Sequence, residues 1–161
     1  MSAYTEGELK TVRDAASRKM VAVHVSEARW RSGEVELAIE ALDADILVHL
    51  THARRGEIRM IAEKERRAAI CPRCNSSLGL GVPPIDRLID EGIHVGLGTD
   101  NCMVNSPNLF REMETALAMM REKRPREVLK MATTTAAKVL GIWHERGAIE
   151  KGKAADIVVL E

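Results

Sequence analysis

Asp45-Ile46-Leu47-Val48-His49-Leu50 is a short apolar run that ends on a histidine and has a longer amphipathic stretch on either side. Met20 to Val25 before it, and Ala68-Ala69-Ile70-Cys71 and Ile93 to Leu97 after it, read the same way. Short apolar strands alternating with helices predict a parallel sheet, because each helical crossover returns the chain to lay the next strand beside the last. The four runs start about 25, 23 and 25 residues apart, close to one βα unit of an eight-unit barrel of about 250 residues. Four units make half of such a barrel, and a half-barrel has two bare strand edges that are templates for pairing. The chain therefore folds either as an open doubly wound sheet or as a half-barrel that something else closes.

The intervening segments carry helix signals. Thr5 and Glu8 have the spacing of a capping box, with Leu9, Val12 and Ala16 at helical spacing behind them. Ser32 is placed to cap a helix that carries Val35, Ala38, Ile39 and Leu42 on one face, and Ile58, Ile61 and Ala62 mark a charged surface helix. Pro72 closes the third strand in a turn. Pro83-Pro84 opens a helix that bears Ile85, Leu88 and Ile89 and ends at Gly92. Ser106-Pro107 starts the next, with Leu109, Phe110, Met113, Leu117 and Met120 on its apolar face, and a last helix is predicted over Arg126 to Leu140. Gly147, Gly152 and the run Ala155 to Leu160 read as a turn and a strand leaving the repeat, which divides the chain into residues 1–145 and 146–161.

Composition limits the function classes. With 161 residues, 45% hydrophobic and 30% charged, the chain is one globular domain. Its 24 basic and 24 acidic residues balance, and four aromatics are too few for base-stacking platforms, so no nucleic-acid partner is expected. No apolar run approaches the roughly 18 residues of a membrane span, and Met1 to Lys10 lacks the apolar core of a signal peptide, so a cytoplasmic protein without a membrane partner is expected. Three cysteines do not make a secreted disulfide scaffold.

Ionisable and polar residues gather just after the four strands: His24 and Glu27, His49 and His52, Cys71 to Asn75, and Asp100 with Asn101. Ligands bind at that end of parallel α/β folds. A lone histidine at a strand end is ordinarily structural; polar groups after four successive strands argue for a site. Cys71-Pro-Arg-Cys74 has the spacing of a redox pair or half a zinc site, but no second C-x-x-C exists, which favours packing of Cys71 in the core. Leu78 to Val82 lacks the spacing of a phosphate loop, Glu63 to Arg67 reads as a solvated helix face, and Met113, Met119, Met120 and Met131 read as core filler.

Read together, V-H-V-S-E (His24, Glu27), L-V-H-L-T-H (His49, His52), C-P-R-C-N-S-S-L-G-L-G (Cys71 to Gly81), G-L-G-T-D-N (Asp100), A-T-T-T-A-A-K-V-L-G and the tail G-x-I-x-K-G-K-A-A-D-I-V-V-L resemble the amidohydrolase superfamily, nearest to its cytosine deaminase, chlorohydrolase and thioadenosine deaminase branch. The resemblance runs from about Ser2 to Leu160 in the family's order. It implies strands five to eight of a TIM-type (β/α)8 barrel over residues 1–145, and a short strand of the flanking β-sandwich within 146–161. It also implies hydrolytic deamination of a cyclic amidine or nucleobase-like small molecule, assisted by a divalent metal, zinc or alternatively iron.

By the same resemblance His24 and Asp100 are metal ligands, and Glu27, His49 and Asp100 are catalytic. His52 and Asn101 are the substrate-binding candidates, with His52 supporting His49. The family's H-x-H pair, which supplies two further ligands, occurs nowhere in the chain, and His94 and His144 lie outside the catalytic end. Catalytic zinc ordinarily takes three protein ligands, so the chain alone is expected to hold metal weakly and to be inactive. The resemblance leaves three arrangements open: a partner chain that carries the first half-barrel, a homodimer that closes one barrel from two copies, or a non-catalytic relic of the fold.

Overall fold

The computed structural model describes residues 5–17, 19–28 and 33–160. Helix α1 (Glu6–Ala16) opens on the full capping box, Thr5 accepting from the Glu8 amide and Glu8 from that of Thr5. Then follow β1 (Ala22–Val25), α2 (Glu34–Glu40), β2 (Ile46–His49), α3 (Arg55–Glu63), β3 (Arg67–Ile70), α4 (Pro72–Ser77), α5 (Ile85–Asp90), β4 (Val95–Leu97), α6 (Leu109–Met119), α7 (Pro125–Ala132) and α8 (Thr134–Val139). The four strands form one parallel sheet in the order β1-β2-β3-β4. Crossovers between sequential neighbours produce this order, and among the described residues β1 and β4 each keep one free edge.

The register puts Val23, Leu47, Ala68 and Val95 in one row, with Val25 and Ile70 on the same face. These pack against Val35, Ala38 and Ile39 of α2, Ile58 and Ile61 of α3, and Ile85 and Leu88 of α5 in one continuous core. On the opposite face Ala22 and His24 are exposed and Val48 and Ala69 half-buried. A closed barrel would cover that face; half of one leaves it open.

Several elements differ from the sequence reading. Ser32, the expected cap of α2, lies outside the described residues, and Gly33 in the left-handed region occupies the N-cap position. Pro72 does not simply end β3; it is the first residue of α4, where a missing amide proton does no harm. The helix expected from Arg126 to Leu140 is two helices broken at Thr133 (φ −132°, ψ −97°), whose hydroxyl donates back to the Leu129 carbonyl. On α6 the buried residues are Glu112 and Ala116, while Leu109 and Phe110 are exposed.

The expected C-terminal strand is not formed: Ile157 to Leu160 are exposed and belong to no strand, because a ladder needs a neighbouring strand and none stands beside this run. The segment just before it is tied down, with the Lys153 ammonium 3.5 Å over the Trp143 ring and the Ala154 amide donating to Glu145. No helix among the described residues is long and apolar enough to cross a membrane.

Candidate active site

All the side chains singled out after the strands stand where the strands finish. His24 is the third residue of β1 and Glu27 follows it; His49 is the last residue of β2; Cys74 and Asn75 ride on α4 after β3; Asp100 follows β4. The backbone is strained here. Ser26, His49, Leu50 and Asp100 have φ of 50°, 73°, 53° and 54°, a region that costs a non-glycine residue about 1–3 kcal/mol and persists where the surroundings enforce it.

At the centre two imidazoles meet edge to face, with ring centroids 4.6 Å apart and His49 Nε2 3.1 Å from His24 Nδ1. The Glu27 carboxylate lies 3.7 Å from His49 Nε2 and 4.0 Å from His24 Nδ1. One ligand atom from each of His24, Glu27 and His49 falls within a 4.8 Å span. His49 is fully buried, whereas the His24 side chain is more than half exposed towards the open face.

Asp100 sits beside this cluster. Its Oδ2 accepts from the Cys74 thiol at 2.8 Å. Burial pushes its carboxyl up, but the Cys74 hydrogen bond, the His49 and His24 charges and the Asn101 amide together hold it below the ordinary value. Burial, reinforced by Asp100, pushes the Cys71 thiol up to about 12 and that of Cys74 to about 11. Both are packed, protonated thiols rather than a redox pair.

His52 and Asn101 are engaged elsewhere. His52 Nε2 lies 2.7 Å from the Leu80 carbonyl, so its ring holds the loop after α4, and Asn101 Oδ1 accepts from the Met103 amide in a turn. His94 and His144 are exposed, and neither is in the His24 cluster.

Sequence reasoning missed the bracket formed by α4. Its Asn75 bonds His49 and Thr51, its Cys74 bonds Asp100, and its Arg73 amide donates to buried Glu112 of α6 at 3.0 Å. The Arg73 guanidinium reaches on to the Ser106 carbonyl and Asn105. The sequence signal was the polar C-N pair directly after a strand, in a place where a core helix would carry aliphatics.

A parallel four-stranded sheet with imidazoles and carboxylates clustered where its strands finish is half of a βα barrel with its polar groups at one end. The Amidohydrolase family profile matches residues 2–161, and the chain belongs to that family. It is 38% identical over 157 residues to a putative aminohydrolase of Methanothermobacter thermautotrophicus, covering 89% of this chain and 40% of the relative. To a 5'-deoxyadenosine deaminase of the same organism it is 32% identical, covering 88% and 37%. An adenosine deaminase from Xanthomonas campestris, solved with bound zinc, superposes with a TM-score of 0.79 at 26% identity over 94% of this chain and 40% of that one. The chain thus spans about 40% of the length of these relatives.

Proposed function

We propose that this chain forms strands five to eight of a hydrolytic deaminase that acts on a cyclic amidine of the adenosine type, its barrel completed by a first half-barrel carrying the missing H-x-H ligands. The observation that carries this reading is the convergence of His24, Glu27 and His49 within a 4.8 Å span where parallel strands finish. Two further facts support the completed barrel: the sheet has two free edges, and the matched relatives are about two and a half times longer than the matched segment. The named activities of the relatives support the reaction class.

The donor set suits a divalent metal such as zinc, which takes neutral imidazole and carboxylate ligands. By the family resemblance His24 would hold it together with Asp100, which stands outside the three-residue span of His24, Glu27 and His49 and whose carboxyl is held below its ordinary value; iron is the alternative. When bound, such an ion lowers the pKa of bound water towards about 7 and so supplies hydroxide at neutral pH. The protein's own groups do the rest. Asp100, whose Oδ2 already accepts from Cys74, takes the proton given up by the attacking water and passes it to the departing amine. Glu27, half-buried beside both imidazoles, delivers a proton to the ring nitrogen of the substrate and regains one from the newly formed hydroxyl, while the exocyclic amine takes the proton held by Asp100 and departs as ammonia. His49, buried and held on both ring nitrogens, fixes the orientation of the His24 ring.

The test is ammonia release from adenosine and 5'-modified adenosines by the chain together with its barrel-completing half. Release that requires both halves, and that Glu27→Gln abolishes while the fold is retained, is expected. Undiminished release with Glu27→Gln, or none with any amidine ring, would overturn the reading.

A further inference from the structure

Asn75 is fully buried, and both ends of its amide are committed: Oδ1 lies 3.0 Å from His49 Nδ1 and Nδ2 donates to the Thr51 hydroxyl at 2.7 Å. An amide oxygen only accepts, so His49 Nδ1 must carry the proton. In a neutral imidazole the other nitrogen then has a lone pair, and His49 Nε2 accepts from its 3.1 Å neighbour, His24 Nδ1. His24 in turn has its proton on Nδ1 and its lone pair on Nε2, which has no hydrogen-bond partner among the described residues. With the amide reversed, every proton moves one place. His49 Nδ1 would accept from an N–H, Nε2–H would donate to His24 Nδ1, and His24 would carry its proton on Nε2, with no lone pair left for a cation.

We propose that Asn75 is a positioning residue that sets the proton order of the whole Thr51–Asn75–His49–His24 chain, presenting His49 Nε2 as an acceptor and His24 Nε2 as a free donor atom for a cation. Its place on α4 suits the task. The helix is anchored by Glu112 on the Arg73 amide, two residues before Asn75, and the three buried residues Thr51, His49 and Asn75 exclude water that would otherwise scramble the tautomers. Which imidazole nitrogen is protonated is generally decided by the partner of the other. The catalytic consequence rests on the deaminase reading above, but the proton order itself does not.

The test is a long-range ¹H–¹⁵N correlation spectrum of the histidine-labelled protein in its complete form, including any separate chain that closes the barrel. Wild-type His49 is expected to be protonated at Nδ1 and unprotonated at Nε2. Asn75→Asp, which only accepts, keeps that tautomer; Asn75→Leu, which offers nothing, lowers the ratio of Nδ1–H to Nε2–H roughly tenfold, the size one net hydrogen bond supports. A wild-type spectrum with the proton on Nε2 overturns the proposal without any variant, and so does an Asn75→Leu spectrum identical to wild type. Where the protein releases ammonia, Asn75→Leu lowers kcat with KM within about twofold, and Asn75→Asp restores most of it. If no amidine is deaminated while the tautomers behave as stated, the function falls and the proton order stands.

Discussion

The two ends of the sheet use polar side chains differently. Where the strands begin, side chains bond to backbone: Asp45 Oδ2 accepts the Val21 amide at 2.7 Å, and Arg67 donates to the Val139 carbonyl of α8 at 2.8 Å while lying 3.4 Å from Asp45. Where the strands finish, side chains bond to one another across elements: His24 to His49, His49 to Asn75, Asn75 to Thr51, Cys74 to Asp100. Bonds to backbone fix where an element stands and are indifferent to the chemistry of their neighbours. Bonds between side chains fix how reactive groups point, and they come with the left-handed backbone at Ser26, His49, Leu50 and Asp100. One end holds the fold together; the other is held in strain by it.

Substitutions should separate the two ends. The largest effect belongs to the finishing end. Glu27→Gln is expected to lower kcat of the completed enzyme about 10²- to 10⁴-fold, the usual worth of a general acid, with a urea unfolding midpoint unchanged because Glu27 is partly exposed. A loss of stability that matched the loss of activity would erase the distinction.

Next is Gly147→Ala, remote from the chemistry. Gly147 has φ +93°, and an added Cβ would lie 2.5 Å from Ala137 Cβ and 3.0 Å from the Thr133 carbonyl. Backbone strain and overpacking together should destabilise by about 3 kcal/mol, read as a shifted denaturant midpoint with no change in the spectroscopic signature of His49.

Glu112→Gln tests the anchor of α4: the Gln amide oxygen can still accept from the Arg73 amide, so the variant should stay within about 1 kcal/mol of wild type at neutral pH. Burial raises the Glu112 carboxyl above its ordinary 4.5 despite the Arg73 amide and guanidinium. The folded state therefore holds this proton more tightly than the unfolded chain. The resulting stabilisation is fully present below pH 4.5 and is lost as pH rises through the raised value. In Glu112→Gln that slope should disappear, as pH-dependent unfolding curves of the two proteins would reveal.

The smallest effect concerns the thiols. Cys102 is exposed and Cys71 and Cys74 are buried, so a thiol reagent under native conditions should modify one cysteine per chain quickly. Rapid modification of three would mean that α4 opens readily.

The βα repeat was legible because its signals are local. Alternating apolar runs, the Thr5/Glu8 box and Pro83-Pro84 each act within a few residues, and α1, α3, α5 and all four strands lie where these signals put them. Helix α4 was hidden because its buried residues are Pro72, Cys74 and Asn75, which leave no aliphatic periodicity to read. The break at Thr133 was hidden because Thr-Thr-Thr is compatible with a helix until a hydroxyl turns back to the carbonyl four residues earlier. The tail misled for the opposite reason: Ile157 to Leu160 have strand composition, but strand formation depends on a neighbour outside the run itself. At the candidate site, the residue types after each strand singled out His24, Glu27, His49 and Asp100, and the structure brings the first three within one 4.8 Å span. Their mutual contacts were not legible, since Asn75 and Cys74 reach across 26 positions to His49 and Asp100 respectively.

The six residues of α4 touch the reactive groups of two different strands, Asn75 on one side and Cys74 on the other. A substitution that shifts the buried face of that helix consequently perturbs both at once. The loop from Asn101 to Asn108, exposed for most of its length and bonded to α4 chiefly through Arg73 and Ser77, can vary without that penalty.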